Sequence, residues 1–343
     1  MHKIIRIKGK IYQYETLAEM SNHAYGWEKD LYYFAAWLTM PQSHPIMFQT
    51  SGSTGTPKEI YFKKEEILHA ANRTNNYFKI NKNANLLLAL PCQYVAGRMM
   101  VARAWASSAN LIPIAPTLCP EIPQHPTLEF AAFTPAQFQS LLDCNFNNQL
   151  HKISKIILGG GPVHTKLKQS ISNFQNQIYA TYGMTETLTH VAVQKLCPEK
   201  WDSFHSIHPE IRFSINDAGC LIINEKNHCI VTNDMIKLIT PSSFEWLGRA
   251  DNVINSGGIK IHPEQMEYAI VQAGLLAENT FYISSKSNEK FGEKIVLVST
   301  QYVNSFTLNQ INNLFNHHKK IHESVQISEL QTTRSGKIIR DKF

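Results

Sequence analysis

The sequence of 343 residues predicts an α/β fold with a mostly parallel sheet, an added β subdomain and a small α+β region at its carboxyl end. The first observation is a regular alternation of apolar runs and helical patterns up to about residue 180, which is typical of parallel sheets covered on both faces. The second is the change after residue 205, where short alternating segments indicate antiparallel strands. This length suggests two domains, or a large one and a small one.

Apolar runs and helical spacing place the elements of the first part of the chain. Leu31, Phe34 and Leu38 repeat at helical spacing after a short β start, so they are predicted to be core residues. Thr134 and Pro135 should form the N-cap and first position of a later helix. The predicted strands are 4–7, 11–14, 86–90, 111–115, 130–133, 153–158 and 178–181. The other predicted helices are 64–78, one opened by Gly97, and 163–174.

The second part of the chain should begin with an antiparallel β subdomain. Its predicted strands are 211–215, 219–223, 229–232 and 236–239. A helix should then open at Pro263, with Met266 and Ile270 facing inward.

The composition limits the classes of function and the cell compartment that can be expected. The net charge is +6 with scattered Lys and Arg, which suits anionic small molecules and gives no case for nucleic acid. The six cysteines lie far apart without zinc spacing, so a reduced cytoplasmic location is expected. The amino terminus lacks the apolar stretch of a signal peptide, and no apolar run reaches transmembrane length.

Residues 50–58, T-S-G-S-T-G-T-P-K, predict a binding loop for a polyphosphate. Glycines let backbone N–H groups converge on an anion, hydroxyls add donors, and Lys58 adds a full charge. A Walker A loop is excluded, because its second glycine would fall on Pro57 and Glu59 follows the lysine. The alternative is a solvated Gly/Ser loop between two strands.

Two further segments carry residues suited to a nucleotide. Gly159 to Pro162 follow a predicted parallel strand, at the edge where such sheets bind ligands, although a tight turn would also need glycines. In Y-G-M-T-E-T, Tyr182 can stack on adenine, Thr185 can bind a phosphate oxygen and Glu186 can hold Mg²⁺. Without other support, this turn is as easily a solvated one.

These segments resemble the motifs of the acyl-adenylate-forming (AMP-binding) superfamily, which includes acyl- and aryl-CoA ligases, luciferases and adenylation domains of peptide synthetases. The resemblance extends through L-G-R-A-D-N-V-I and S-G-K-I-I-R, in family order. It implies that fold, with ATP, Mg²⁺ and CoA as ligands. The amino-terminal region is shorter than is usual in the family.

The resemblance also implies residue roles. Asn233 stands before Asp234 where the family has glycine, and it is expected to tolerate a left-handed backbone. The implied catalytic residues are Thr185, Lys337 and Glu186, the last with Mg²⁺. The implied phosphate-binding residues are Thr50, Ser51, Gly52, Ser53, Thr54, Gly55 and Lys58. The implied adenine and ribose residues are Gly160, Gly161, Pro162, Tyr182, Gly183, Asp234 and Arg249.

The family's domain arrangement implies a large domain at 1–250 and a mobile small domain at 251–343. Asp251 would be the hinge between them. Gly257 and Gly258 would face the pantetheine tunnel after the small domain has rotated, although they also suit a plain hairpin turn. The proline that usually leads the lysine segment is absent, but Lys337 keeps its register.

The segment 91–105, P-C-Q-Y-V-A-G-R-M-M-V-A-R-A-W, resembles the acyl pocket of the family. Its residue pattern and the compact length are most similar to short bacterial 2-succinylbenzoate–CoA ligases of menaquinone synthesis. The substrate of those enzymes carries a second carboxylate, and a buried carboxylate needs a cationic partner. Arg103 matches the arginine of that pattern and Arg98 is the second candidate, whereas the alternative places both on a helix surface. Tyr94 and Gly159 complete the implied acyl site.

The expected function is therefore ATP-dependent ligation of a small carboxylic acid to CoA, in the cytoplasm, with neither nucleic acid nor a membrane span. A homo-oligomer is compatible with the sequence. Alternatives are a CoA ligase for another aryl or acyl acid, an adenylation module that loads a carrier protein, and a non-catalytic adenylate binder. The lack of a carrier segment argues against the second, and the presence of all five implied charged site residues against the third.

Overall fold

The chain divides into two compact units. The structure, a computed structural model, describes residues 4–41, 44–49, 58–124, 127–226, 228–289, 292–332 and 338–341. The amino-terminal unit comprises 1–163 and 167–211, and the carboxyl-terminal unit comprises 164–166 and 212–343. The predicted boundary at residue 250 refers to a hinge for motion and stays a prediction.

The amino-terminal unit is built on a large sheet. Its strands are β1 (Ile4–Ile7), β2 (Lys10–Gln13), β3 (Ile46–Gln49), β4 (Glu59–Phe62), β5 (Asn85–Leu88), β6 (Asn110–Pro113), β7 (Leu128–Phe133), β8 (Ile153–Leu158), β9 (Gln177–Gly183), β10 (His190–Cys197) and β11 (Phe204–Ser206). Its helices are α1 (Tyr14–His23), α2 (Trp27–Thr39), α3 (Lys64–Phe78), α4 (Val95–Ser107), α5 (Pro135–Asp143), α6 (Asn147–Leu150) and most of α7 (Thr165–Ser170), with a 3₁₀ turn at Thr185–Thr187.

The sheet runs in the order β11-β10-β9-β8-β7-β5-β6-β1-β2, while β3 and β4 form a separate hairpin. Neighbours from β1 through β6, β5, β7, β8 and β9 are parallel, and the pairings at the two ends are antiparallel. Leu87, Phe133, Phe138 and Leu158 are fully buried in one core cluster. The predicted mostly parallel sheet is confirmed, and the glycine segment 159–162 and the turn 182–187 follow the carboxyl ends of its strands β8 and β9.

Several elements match their predicted bounds because local signals are strong. Helix α3 and strand β8 span the predicted residues. Helix α5 begins at Pro135, and the N-cap Thr134 accepts from the Gln137 backbone N–H at 3.1 Å. Helix α4 instead begins at Val95, two residues before Gly97. A side chain at Gly97 would place its Cβ 2.3 Å from the Pro91 carbonyl oxygen, so this glycine permits the first turn of α4 to pack closely against the backbone of the preceding segment.

The predicted helix 163–174 was wrong in length. The observed helix α7 covers Thr165–Ser170, and residues 171–173 form a turn. The Ser172 hydroxyl donates to the Gln169 carbonyl at 2.8 Å, a local bond that competes with helix extension. Leu167, Ile171 and Phe174 are nevertheless buried, so the apolar pattern predicted burial correctly.

The carboxyl-terminal unit contains two sheets. Its strands are β12 (Ile211–Ile215), which starts at the boundary, β13 (Cys220–Glu225), β14 (His228–Thr240), β15 (Ser243–Arg249), β16 (Ile254–Ser256), β17 (Ile259–Ile261), β18 (Phe281–Asn288), β19 (Gly292–Ser299) and β20 (Glu323–Gln326). Its helices are α8 (Pro263–Gln272) and α9 (Ser305–Asn312), with 3₁₀ turns at Ala250–Asn252 and His317–Lys319. The strand orders are β12-β13-β14-β15 and β17-β16-β19-β18, with β20 parallel to β19.

Strand β14 corrects one prediction. The segments 229–232 and 236–239 were expected to be separate strands, but they belong to one strand with a register shift between Met235 and Ile236. Asn233 lies inside this strand and does not have positive φ, so the tolerance of asparagine for a left-handed backbone is not needed at this position. The register shift is accommodated by a β-bulge, so the strand continues without a turn. Helix α8 opens at Pro263 with Met266 and Ile270 buried, as predicted.

In the part of the chain that the structure describes, no helix is long and apolar enough to cross a membrane.

Candidate functional site

The predicted phosphate loop joins the two strands of the β3–β4 hairpin. Gln49 and Glu59 are paired opposite each other, so both ends of the loop are held at one point. Lys58 is exposed directly before β4. Thr50, Ser51, Gly52, Ser53, Thr54 and Gly55 lie outside the described residues, and their phosphate role stays a prediction.

The glycine segment lies at the carboxyl end of β8, among parallel strands. A Cβ on Gly159 would lie 2.5 Å from the Thr181 hydroxyl oxygen, so a side chain there would displace this hydroxyl of β9. Gly160 has φ of +82° and is exposed, as Pro162 is, while a Cβ on Gly161 would meet nothing within 4 Å. The backbone is therefore open at the sheet edge where ligands bind in α/β folds.

The segment 182–187 leaves β9 and forms the 3₁₀ turn. The half-buried Tyr182 ring lies edge-on to Phe204 at 6.0 Å between centroids. Thr187 braces the turn by accepting from the Met184 backbone N–H at 3.1 Å. Thr185 is buried and Glu186 is exposed, so this carboxylate is accessible to a ligand.

Glu186 fits a magnesium ion better than a structural metal. No group of three His, Cys, Asp or Glu residues that could hold a metal occurs among the described residues. Mg²⁺ does not require such a cage, because it keeps waters and phosphate oxygens and takes one or two carboxylates from the protein. The donor set therefore suits Mg²⁺ brought in with a polyphosphate.

In the carboxyl-terminal unit, Asp234 and Arg249 stand opposite each other on β14 and β15. Their nearest charged atoms, Oδ1 and Nη1, are 3.9 Å apart. The Trp246 indole N–H donates to Asp234 Oδ1 at 3.2 Å, and Arg249 Nη2 donates to Asp251 Oδ2 at 3.1 Å. The two residues that were predicted to hold a ribose are thus brought together, with the acidic residue mostly buried.

The predicted hinge is tied to helix α8 within the same unit. Asp251 lies in the 3₁₀ turn after β15, and Glu264 of α8 accepts from the Asn252 side-chain amide at 2.5 Å. Gly257 and Gly258, with φ of 58° and 80°, form the turn between β16 and β17. Both positive values favour glycine, as in a two-residue hairpin. Their CoA role stays a prediction.

Helix α4 carries the predicted acyl-site residues. Tyr94 precedes its first turn and is largely exposed. Arg98 donates through Nε to the Cys92 carbonyl at 2.8 Å and through Nη1 to the Met47 carbonyl at 2.7 Å. Its guanidinium also lies 4.9 Å from the centroid of the Phe48 ring. Protein groups therefore account for much of the bonding capacity of Arg98.

Arg103 differs from Arg98 in having no such set of acceptors. It is 3% exposed, and its Nη2 donates to the Thr189 hydroxyl at 2.5 Å, while Nη1 lies 3.2 Å from the Met100 sulfur. Its Nε has no hydrogen-bond partner among the described residues. Burial lowers the pKa of Arg103 to about 9. Neither arginine lies on the helix surface, so the surface alternative was wrong for both.

Sequence reasoning missed Thr189 and His190, which follow the 3₁₀ turn directly. Both are 6% exposed, and the Thr189 hydroxyl oxygen lies 3.4 Å from His190 Nδ1. Two polar residues at the start of the apolar strand β10 were a usable signal. Their partner Arg103, however, lies 86 residues earlier in the chain than Thr189, so local patterns could not identify it.

The predicted catalytic residue Lys337 lies outside the described residues. Nearby, Arg340 forms a two-pronged ion pair with the Glu267 carboxylate of α8, and its Nη2 lies 2.9 Å from Oε2. The charged tail is therefore anchored to the carboxyl-terminal unit at this point.

The chain is similar to proteins named as CoA ligases and acyl-CoA synthetases. The 2-succinylbenzoate–CoA ligase of Haemophilus influenzae is 28% identical over 78% of this chain and 62% of its own length, so the chain spans less than two thirds of that relative. An acyl-CoA synthetase (AMP-forming)/AMP-acid ligase II-like protein from Dyadobacter fermentans is 28% identical and covers 93% of this chain and 95% of its own, with a TM-score of 0.62.

A second solved structure shares the fold at lower identity. It is the o-succinylbenzoate CoA synthetase of Bacillus subtilis in complex with an acyl-adenylate intermediate. It is 20% identical over 85% of this chain and 67% of its own, with a TM-score of 0.73.

Residues 6–229 match the model of the AMP-binding enzyme family. The match covers the glycine segment, the 182–187 turn and the α4 arginines. It confirms the superfamily resemblance and, with the solved structures, the fold class predicted from the sequence. The chain belongs to the AMP-binding enzyme family.

Proposed function

We propose that the chain is an ATP-dependent acid–CoA ligase that converts 2-succinylbenzoate, ATP and CoA into 2-succinylbenzoyl-CoA, AMP and pyrophosphate. This reaction would serve menaquinone biosynthesis in the cytoplasm, where ATP and CoA are available. The described cysteines are all free thiols, which agrees with that compartment.

Arg103 is the residue that favours a diacid as the substrate. A buried guanidinium costs free energy unless an anion pairs with it. No acidic side chain in the described part of the chain pairs with Arg103, and burial is the sole cause of its lowered pKa. A ligand carboxylate would offset this charge. The ring carboxylate of 2-succinylbenzoate is such a group, and it remains free when the succinyl carboxylate reacts.

The named relatives support the same substrate. Several are 2-succinylbenzoate–CoA ligases, from Haemophilus influenzae to Staphylococcus epidermidis. The family match supports activation by adenylate formation.

In the first step the succinyl carboxylate attacks the α-phosphorus of ATP. A P–O bond forms as the bond to the β-phosphate breaks, and pyrophosphate leaves with the electron pair. Both reactants are anionic, so repulsion must be offset by the donors of loop 50–58, Thr185 and the cations Lys58 and Lys337. Glu186 would hold Mg²⁺, which supplies further positive charge to the phosphates. Asp234 and Arg249 would hold the ribose hydroxyls.

In the second step the CoA thiolate attacks the acyl carbon of the adenylate. A C–S bond forms, the C–O bond to the phosphate breaks, and AMP leaves; the thiol proton goes to solvent. Rotation about Asp251 would withdraw Lys337 and bring the turn at Gly257 and Gly258 to the acceptor.

AMP release tests the proposal. Formation of AMP is measured with ATP and CoA against 2-succinylbenzoate, 4-oxo-4-phenylbutanoate (the same acid without the ring carboxylate), benzoate, a medium-chain fatty acid and amino acids. We expect strong preference for 2-succinylbenzoate. Equal or better turnover of another acid would replace the substrate and keep the adenylating activity. Pyrophosphate exchange that proceeds without any CoA-dependent product would favour a carrier-protein acceptor.

A further inference from the structure

The start of β10 is fixed beside the nucleotide segment. His190 pairs with Gly183, the last residue of β9 and a predicted adenine residue. A Cβ on Gly183 would lie 2.6 Å from His190 Cα, so the two backbones are as close as glycine allows. On the other side, the imidazole lies edge-on to Phe78, with 5.9 Å between centroids. His190 is therefore held in one place at the carboxyl edge of the sheet.

A chain of hydrogen bonds sets the proton of His190. Arg103 can only donate, so the Thr189 hydroxyl oxygen accepts from Nη2 at 2.5 Å. The single hydroxyl hydrogen of Thr189 can then reach His190 Nδ1 at 3.4 Å. Nδ1 therefore accepts, and the proton of a neutral imidazole must lie on Nε2. The reverse tautomer would leave the Thr189 hydroxyl hydrogen without an acceptor among the described residues.

His190 is neutral at physiological pH. Burial, followed by the charges of Arg103 and Arg73, lowers its pKa well below the ordinary histidine value. Its contribution is thus one N–H donor and no charge.

Two buried donors of this cluster have no acceptor. They are the N–H groups of His190 Nε2 and Arg103 Nε, which lack partners among the described residues. A buried donor without a partner is costly, and native proteins rarely keep one without a functional reason. Both atoms only donate, and Arg103 is cationic, which excludes a metal ion and favours an anion with acceptor oxygens.

We propose that His190 is a further substrate-binding residue, whose Nε2–H donates to the same substrate carboxylate that Arg103 binds. Thr189 is the positioning residue between them, because its hydroxyl fixes the tautomer of His190. The inference rests on the proposed function and adds a neutral donor to a cationic one. A carboxylate with its oxygens engaged in this way is distinguished from a ketone or a hydroxyl.

Two substitutions of His190 test the inference. His190→Met removes the donor at similar volume, whereas His190→Gln keeps an amide N–H near the place of Nε2. KM and kcat are measured for 2-succinylbenzoate (the diacid) and for 4-oxo-4-phenylbutanoate (the monoacid). We expect H190M to raise the KM for the diacid by about 10- to 100-fold, as for loss of a hydrogen bond to a charged group, with little change for the monoacid. H190Q should stay within about threefold of the wild type.

Thr189 supplies an independent pair. Thr189→Val removes the hydroxyl and Thr189→Ser retains it. T189V should raise the KM for the diacid by about three- to tenfold, the effect of one neutral hydrogen bond, and T189S should not. Thermal unfolding of each variant shows whether it is folded.

The outcomes separate the two proposals. A wild-type enzyme that does not prefer the diacid to the monoacid overturns the proposed function, and this inference with it. A wild-type enzyme with that preference, combined with an H190M variant that keeps the same preference, overturns only the role of His190. An equal rise in KM for both acids in H190M would also overturn it, because it indicates general damage to the pocket.

Discussion

Arg103 is a buried guanidinium and Arg340 a mostly buried one, but their surroundings are opposite. Arg340 forms a two-pronged ion pair with Glu267, and its guanidinium lies 5.8 Å from the Tyr282 ring centroid. Arg103 contacts a hydroxyl and a sulfur and has no carboxylate partner among the described residues.

The pKa values of the two groups move in opposite directions. Burial would lower the pKa of Arg340, but the charge and hydrogen bonds of Glu267 more than offset it, so that pKa is raised. Burial lowers the pKa of Arg103 to about 9. A guanidinium that is paired with a carboxylate of the same chain stabilises the fold. A buried guanidinium without such a carboxylate is suited to bind an anionic ligand.

The largest expected effect is at the ion pair. Arg340→Met should lower the free energy of unfolding by about 3–5 kcal/mol, because it leaves the mostly buried Glu267 carboxylate without its partner. Chemical denaturation measures this change. The double variant with Glu267→Gln should regain much of the loss, since the buried charge is then removed as well. A single variant as stable as the wild type would contradict the structural role of Arg340.

The loss of stability on replacing Arg98 is expected to be smaller than at Arg340 and larger than at Arg103. Arg98→Met should lower the free energy of unfolding by about 1–3 kcal/mol, because the carbonyls of Cys92 and Met47 lose their donor. The same denaturation experiment measures it, and the ratio of KM values for diacid and monoacid should not change. A collapse of that ratio in R98M would assign the substrate carboxylate to Arg98 instead of Arg103.

The pH dependence of substrate binding should reveal the protonation state of Arg103. We predict that the guanidinium of the empty protein begins to lose its proton above about pH 9, because burial lowers its pKa to about 9. Binding of the diacid then requires proton uptake, so the KM should rise by up to about tenfold per pH unit. His190 is already neutral there, and Arg73 is the other cation whose charge acts on it.

Pyrophosphate release without CoA is the suitable readout for this pH series, because the thiol does not take part. The monoacid, measured over the same pH range, is the control for titration of other groups. A diacid KM that stays constant relative to the monoacid between about pH 8 and about pH 10.5 would exclude a titrating Arg103 from the binding step.

The smallest effect on stability is expected at Arg103 itself. Arg103→Met should change the free energy of unfolding by less than about 1 kcal/mol, since the cost of a buried charge disappears together with one hydrogen bond. Thermal and chemical unfolding beside R340M provide the comparison. A loss as large as that of R340M would mean that Arg103 is a structural residue.

The sequence predicted much of the fold because its signals were local. Helix α3, strand β8 and the Thr134 cap depend on apolar spacing and on capping residues only a few positions apart. Helix α7 and strand β14 differed, because serine side chains and a bulge altered the backbone without changing the apolar pattern.

The candidate site was predictable only where the chain repeats a family motif. Asp234 and Arg249 were named together and lie on paired strands. Thr189 and His190 were not named, because their proposed role depends on contact with Arg103, which lies on a helix far away in the sequence. Burial and missing partners are three-dimensional properties, and residue spacing does not report them.

The unpaired charge of Arg103 is tested most directly by a thermodynamic cycle between protein and substrate. The ratio of kcat/KM for the diacid 2-succinylbenzoate to that for the monoacid 4-oxo-4-phenylbutanoate is measured in the wild type and in R103M. We predict strong preference for the diacid in the wild type and a ratio that is at least about 30-fold lower in R103M, because truncation of one partner of a buried charge pair costs about 2 kcal/mol or more. The same ratio in both proteins would contradict a role for this charge in choosing the diacid.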